Sequence, residues 1–163
     1  DIYGVINMAK ISNIVIHCSD SAFGNANEIR RWHKEKGWND IGYHFVILNG
    51  MIFKDTIFHS LDGSIECGRP VDGNMFLTGN EIGAHALGYN NNSIGICLIG
   101  KNEFTKNQMI ALRMLVKELV FKYDIDIYGV MGHNETESGR AQGKTCPNFD
   151  VETLREDLLN GDK

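Results

Sequence analysis

The stretch NSIGICLIG, Asn92 to Gly100, constrains the fold more than any other in this chain. Its apolar residues occupy both alternating faces, so a strand built from it belongs inside a sheet covered on each side. The cover is encoded nearby. In TKNQMIALRMLVKELVFKYD, residues Met109, Leu112, Leu115, Val116, Leu119 and Tyr123 hold helical spacing, and Thr105 with Gln108 forms a capping-box pattern. GNANEIRRWHKEKGW predicts a second helix, capped by Asn25 with Glu28 three residues on, striped by Ile29 and Trp32 and stopped at Gly37. SNIVIHCS, YHFVIL (ended by the turn pair Asn49-Gly50) and DIYGVMG predict further strands, and DVETLREDLLNG a closing helix with Asp150 near its cap. Strands alternating with helices predict an α/β fold: one domain with a central mixed β-sheet flanked by helices. A length of 163 residues suits one domain, with residues 13–160 as the folded unit and 1–12 as an N-terminal arm outside the fold argument. Met51 to Asn80, rich in glycine and Asp-Gly pairs, is expected to form an extra hairpin at a groove edge, and Trp32 and Trp38 to be core.

Composition excludes several functions. The net charge of −5, with no lysine-arginine stripe, argues against a nucleic-acid grip and against stable attachment to anionic membranes. No apolar run approaches the ~20 residues of a membrane helix. The opening DIYGVINMAKISN has one lysine and no sustained apolar stretch, and is not read as a signal peptide. None of the four cysteines forms a CxxC pair. Cys18 and Cys97 sit in apolar runs and read as buried thiols; Cys67, in a turn-rich region, is uninformative.

The chemistry gathers around GVMGHNETESGRAQGKTCPNFD, Gly129 to Asp150. His133 follows a predicted strand, as His17 ends another, and Cys146 lies on the loop after His133. In open sheets, sites form beyond strand ends. Two imidazoles and a thiolate with one vacant place make a ligand set for a catalytic zinc, whose bound water has a pKa of about 7. On spacing alone a structural role for each histidine is the plainer reading, since no short ligand motif is present.

Four blocks in order, IVIHCSDS, EIRRWHKEKGWNDIGYHFVI, GAHALGYNNNSIGICLIG and GHNETESGRAQGKTCPNFD, resemble the zinc-dependent type-2 N-acetylmuramoyl-L-alanine amidases, most closely their small phage endolysins. The resemblance runs from about Ile14 to Asp150. It implies the fold of that family and of the peptidoglycan-recognition proteins, a zinc ion held by His17, His133 and Cys146, and catalytic roles for Tyr43 and Lys144. It implies hydrolysis of the amide between N-acetylmuramic acid and L-alanine in peptidoglycan. A phage endolysin without a signal peptide would be made in the host cytoplasm and reach the wall after a membrane lesion. In such a reaction Lys144 places a cation beside the developing oxyanion, and the Tyr43 phenol holds the attacking water or donates to the intermediate. The chain departs from the family at Asn134-Glu135, where many relatives carry Arg-Asp.

His85 and Asn90 on the glycine-rich loop, and Glu135, are candidates for substrate contact; packing, turn formation and a solvated carboxylate are the plainer alternatives. His33 is expected at the surface or half-buried, His44 in the interior, and His59 is unassigned. Three rival functions stand beside the amidase: a thiol hydrolase using Cys146 and His133, a non-catalytic peptidoglycan-binding module, and a regulator that contacts the phage RNA polymerase. The chain is expected to act as a monomer.

Overall fold

A computed structural model describes residues 9–161; most of the proposed N-terminal arm, residues 1–8, and Asp162 and Lys163 lie outside it. The strand read as central is central. β1 (Asn13–Cys18), β2 (Phe45–Ile47), β5 (Ile65–Cys67), β6 (Ser93–Leu98) and β7 (Val130–Gly132) form one sheet in the order β5-β2-β6-β1-β7. β2, β6, β1 and β7 run parallel, and β5 is antiparallel at the edge. Every residue of β6 is buried.

Helices cover both faces. α2 (Lys106–Tyr123) and α4 (Val151–Asn160) pack Leu112, Val116, Tyr123 and Leu154 against Ile14, Ile16, Ile94 and Ile96. α1 (Ala26–Glu35) seals the other face, with Ile29 against Val46, Cys97 and Ile99. Each fully buried large side chain here contributes about 1.5–3 kcal/mol relative to its exposure. The capping devices are as read. Asn25 accepts the Glu28 N–H, Thr105 and Gln108 bond reciprocally, and Asp150 accepts the Glu152 N–H.

Three expectations are corrected. DIYGVMG is not all strand, because Asp126 accepts the Tyr128 N–H and winds Ile127–Gly129 into a 3-10 turn before β7 begins. The segment after Met51 does make a hairpin, β3 (Met51–Phe53) with β4 (Thr56–Ile57), but these strands do not line the site cleft described below. Trp38 is 40% exposed: Gly37, at φ +89°, turns the chain out of α1, and the indole lies at the cleft rim against the His33 ring instead of in the core. The remaining helix of the sheet domain, α3 (Glu137–Ala141), is short and belongs to the site.

Candidate active site

β1 and β7 are neighbouring parallel strands, with Ile16 opposite Gly132, so His17 and His133 emerge side by side at the same sheet end. His17 pairs in register with Cys97 and therefore faces the α1 side. Its ring centroid lies 4.6 Å from that of His133 and 5.0 Å from that of Tyr43.

The loop after β7 brings the sulfur. Thr136 Oγ1 donates to the His133 carbonyl and itself accepts the Gly139 N–H, which starts α3. Any side chain at Gly139 would collide with the His133 carbonyl. The Cys146 carbonyl accepts the Asn134 N–H at 2.8 Å, which lays the Cys146 strand of the loop against the His133 turn. The Cys18 backbone N–H then points at Cys146 Sγ, 3.0 Å away. A donor aimed at sulfur favours the thiolate. The Cys146–Pro147 peptide is cis.

As a result one ligand atom from each of His17, His133 and Cys146 lies within 4.8 Å of the others. Burial pushes the pKa of His17 well down, helped by the His85 and His133 rings; burial and then Lys144 push His133 down. Both imidazoles are therefore neutral near pH 7 and carry a free lone pair. Cys18 and Cys146 are coupled: their shared hydrogen bond draws Cys18 down to about 7, while that bond and burial push the Cys146 thiol up, so a cation bound at Cys146 has to displace its proton. This donor set can hold a divalent metal ion.

Tyr43 and Lys144 line the same cleft, of about 780 Å³. Burial, then the Cys97, Cys146 and Cys18 sulfurs, push the Tyr43 phenol well above its ordinary pKa, so it remains a proton donor. Lys144 is exposed at the mouth, with its backbone N–H on the Gly139 carbonyl.

His85 and Asn90 also line the cleft, but their bonds are internal. Asn90 Oδ1 accepts the N–H groups of His85 and Ala86, and so shapes the loop. Glu135 is neither a cleft residue nor a solvated loop carboxylate. It accepts the Gly132 N–H and is gripped by Arg155 through both oxygens, at 3.0 and 2.8 Å. His33 is buried, against expectation, because its Nδ1 accepts the Gly42 N–H; burial pushes its pKa down to about 4. His44 is in the interior as expected.

Sequence reasoning missed the Cys18 N–H, the Arg155 clamp on Glu135, and Trp38 and His33 as cleft residues. Only Trp38, following a helix-stopping glycine, carried a local signal.

The chain matches the N-acetylmuramoyl-L-alanine amidase family over residues 7–149. It belongs to that family. The endolysin of Klebsiella phage KP32 is 36% identical over 153 residues, covering 87% of this chain and 83% of the relative. The endolysin of Escherichia phage T7 is 36% identical over 163 residues, covering 92% and 90%. Among solved structures, the N-acetylmuramoyl-L-alanine amidase LysC from Clostridium intestinale superposes with a TM-score of 0.70 at 28% identity, over 94% of this chain and 88% of that one.

Proposed function

We propose that this chain is a zinc-dependent endolysin that hydrolyses the amide between N-acetylmuramic acid and L-alanine in peptidoglycan. The amidase family and the two phage endolysins support the bond and the substrate. The observation that carries the metal chemistry is the convergence of His17, His133 and Cys146 within 4.8 Å. Tetrahedral zinc with nitrogen ligands at ~2.05 Å and sulfur at ~2.3 Å has ligand–ligand edges of roughly 3.3–3.6 Å, within reach of small side-chain adjustments. Three protein ligands leave the fourth place open to the cleft, the arrangement of a catalytic site. A zinc ion held there supplies a Lewis acid for the amide carbonyl and lowers the pKa of a water towards about 7.

The chain's own groups do the rest. Lys144 lines the cleft together with His133, and in this reading its ammonium stabilises the charge that develops on the carbonyl oxygen. Tyr43, kept protonated by burial, donates a hydrogen bond to the reacting oxygens. Trp38 at the rim offers an apolar face to the glycan or stem peptide. Among the described residues no helix is long and apolar enough to cross a membrane.

The thiol-hydrolase reading leaves His17 without a task, although the structure seats its ring 4.6 Å from His133. Chelation separates the two. Activity on purified sacculi should vanish on metal removal and return with zinc, with products cleaved between the lactyl group and L-alanine by mass. Full activity after exhaustive chelation would refute the metal reading.

A further inference from the structure

One buried imidazole in the cleft has no part in the chemistry above. His85 Nδ1 lies 2.9 Å from His17 Nε2, and His85 Nε2 lies 3.3 Å from Ser93 Oγ. Ser93 Oγ in turn lies 2.7 Å from the Tyr89 carbonyl oxygen. Two oxygens that close need a proton between them, and a carbonyl cannot supply one. The single proton of Ser93 is therefore committed to Tyr89, and Ser93 can only accept from His85. His85 then carries its proton on Nε2, and its bare Nδ1 accepts from His17. A buried, neutral His17 whose Nε2 holds the proton keeps its lone pair on Nδ1. Each link fixes the next, and the direction originates in a backbone carbonyl.

A second feature, independent of the hydrogen bonds, shows that the ring is seated on purpose-made ground. β6 carries no side chain at Gly95, and a Cβ there would meet His85 Cγ at 2.7 Å. A Cβ at Gly83 would meet His85 Cδ2 at 2.6 Å. Gly95 on the central strand and Gly83 on the loop before it thus leave room for this imidazole, while Asn90 clamps the backbone at His85 and Ala86.

We propose that the Tyr89 carbonyl, Ser93 and His85 form a relay that sets the tautomer of His17, so that His17 offers Nδ1 to the metal. His85 is a positioning residue in this scheme, not a substrate contact. Partners of this kind orient a ligating imidazole, and their loss typically weakens metal binding about 10–100-fold. The inference rests on the zinc reading above.

The test is a long-range ¹⁵N–¹H correlation spectrum of the zinc-loaded wild-type protein, paired with zinc competition against a chromophoric chelator. The expected spectrum has His17 protonated at Nε2 with zinc on Nδ1, and His85 protonated at Nε2 with a bare Nδ1. His85→Phe, which keeps a ring in the seat, should weaken zinc binding about 10–100-fold, and Ser93→Ala should weaken it in the same direction by a smaller factor. The opposite tautomer at either ring, or zinc binding unchanged within about twofold in both variants, would overturn the relay. If His85→Phe changed only KM for peptidoglycan, a substrate contact would replace the relay. If neither variant folds, the wild-type spectrum still decides. If the wild type takes up no zinc, the function proposed above fails, and the relay is judged on the tautomers of the unloaded protein.

Discussion

Replacing Arg155 by Met should loosen the turn that carries His133. Arg155 is buried, at 7% exposure, and its guanidinium donates to the Val130 carbonyl at 2.8 Å, to both Glu135 oxygens, and to Glu152. Methionine keeps much of the stem volume and removes every donor. A buried carbonyl stripped of its donor costs about 1–3 kcal/mol, nearer the lower end because Val130 sits within a strand. Breaking a fully buried ion pair costs roughly 3–5 kcal/mol. The Glu135 side chain is 36% exposed, so solvent screening cuts that to about 1–2 kcal/mol. The sum is about 2–4 kcal/mol, or a fall in Tm of roughly 5–15 °C for a domain of this size. Burial pushes the Glu135 carboxyl up, but the Arg155 bonds outweigh it and hold the group below its usual range. The stabilisation is therefore present above the unfolded carboxyl pKa of about 4.3 and is lost as pH falls through the lower folded value. Thermal unfolding at pH 7 and pH 3 should show a gap between wild type and variant that shrinks in acid. A cycle with Glu135→Gln should give a coupling of about 0.5–3 kcal/mol. A Tm shift below about 2 °C at pH 7, or strict additivity in the cycle, would refute the clamp.

Other expectations follow from the same geometry. Lys144→Ala should leave zinc content unchanged and lower kcat on sacculi about 10²–10³-fold, the loss typical of an oxyanion donor; full-rate turnover would remove Lys144 from the mechanism. His44 is held neutral at a pKa of about 4, chiefly by burial, with Nδ1 accepting from the Gly95 N–H and Nε2 donating to the Glu81 carbonyl. Its folded pKa lies below the unfolded value of about 6.5, so its contribution is complete above that pH and declines as pH falls towards 4. Between pH 7 and pH 5 this one group should account for about 2 kcal/mol of lost stability in urea unfolding. A His44→Gln variant should lose that part of the pH dependence, and an unchanged profile would contradict the assignment.

Local and periodic signals in the sequence carried much of this account. The two-faced apolar run of β6 and the helical stripe of α2 announced a covered sheet, and Asn25, Thr105 and Asp150 marked helix starts with side chains that cap within three residues. β7 was harder, because its three residues are too few to show a period and a 3-10 turn precedes them. The ligand residues were legible as types at strand ends; their convergence required knowing that β1 and β7 are neighbours, which no local pattern encodes. Long-range polar pairing was illegible. Nothing in the string links Glu135 to Arg155 twenty residues later, or His85 to His17 across 68. Trp38 was misplaced because its hydrophobicity suggested burial, while the glycine before it turned it to the cleft rim.

In the proposed function His17, His133 and Cys146 together hold one zinc ion that the reaction needs. The most direct test is metal stoichiometry by elemental mass spectrometry, measured on wild type and Cys146→Ser alongside muramoyl–alanine cleavage of purified sacculi. The expected result is one zinc per wild-type chain with cleavage, and loss of both in the variant. Cleavage at the wild-type rate by a zinc-free Cys146→Ser protein would contradict it.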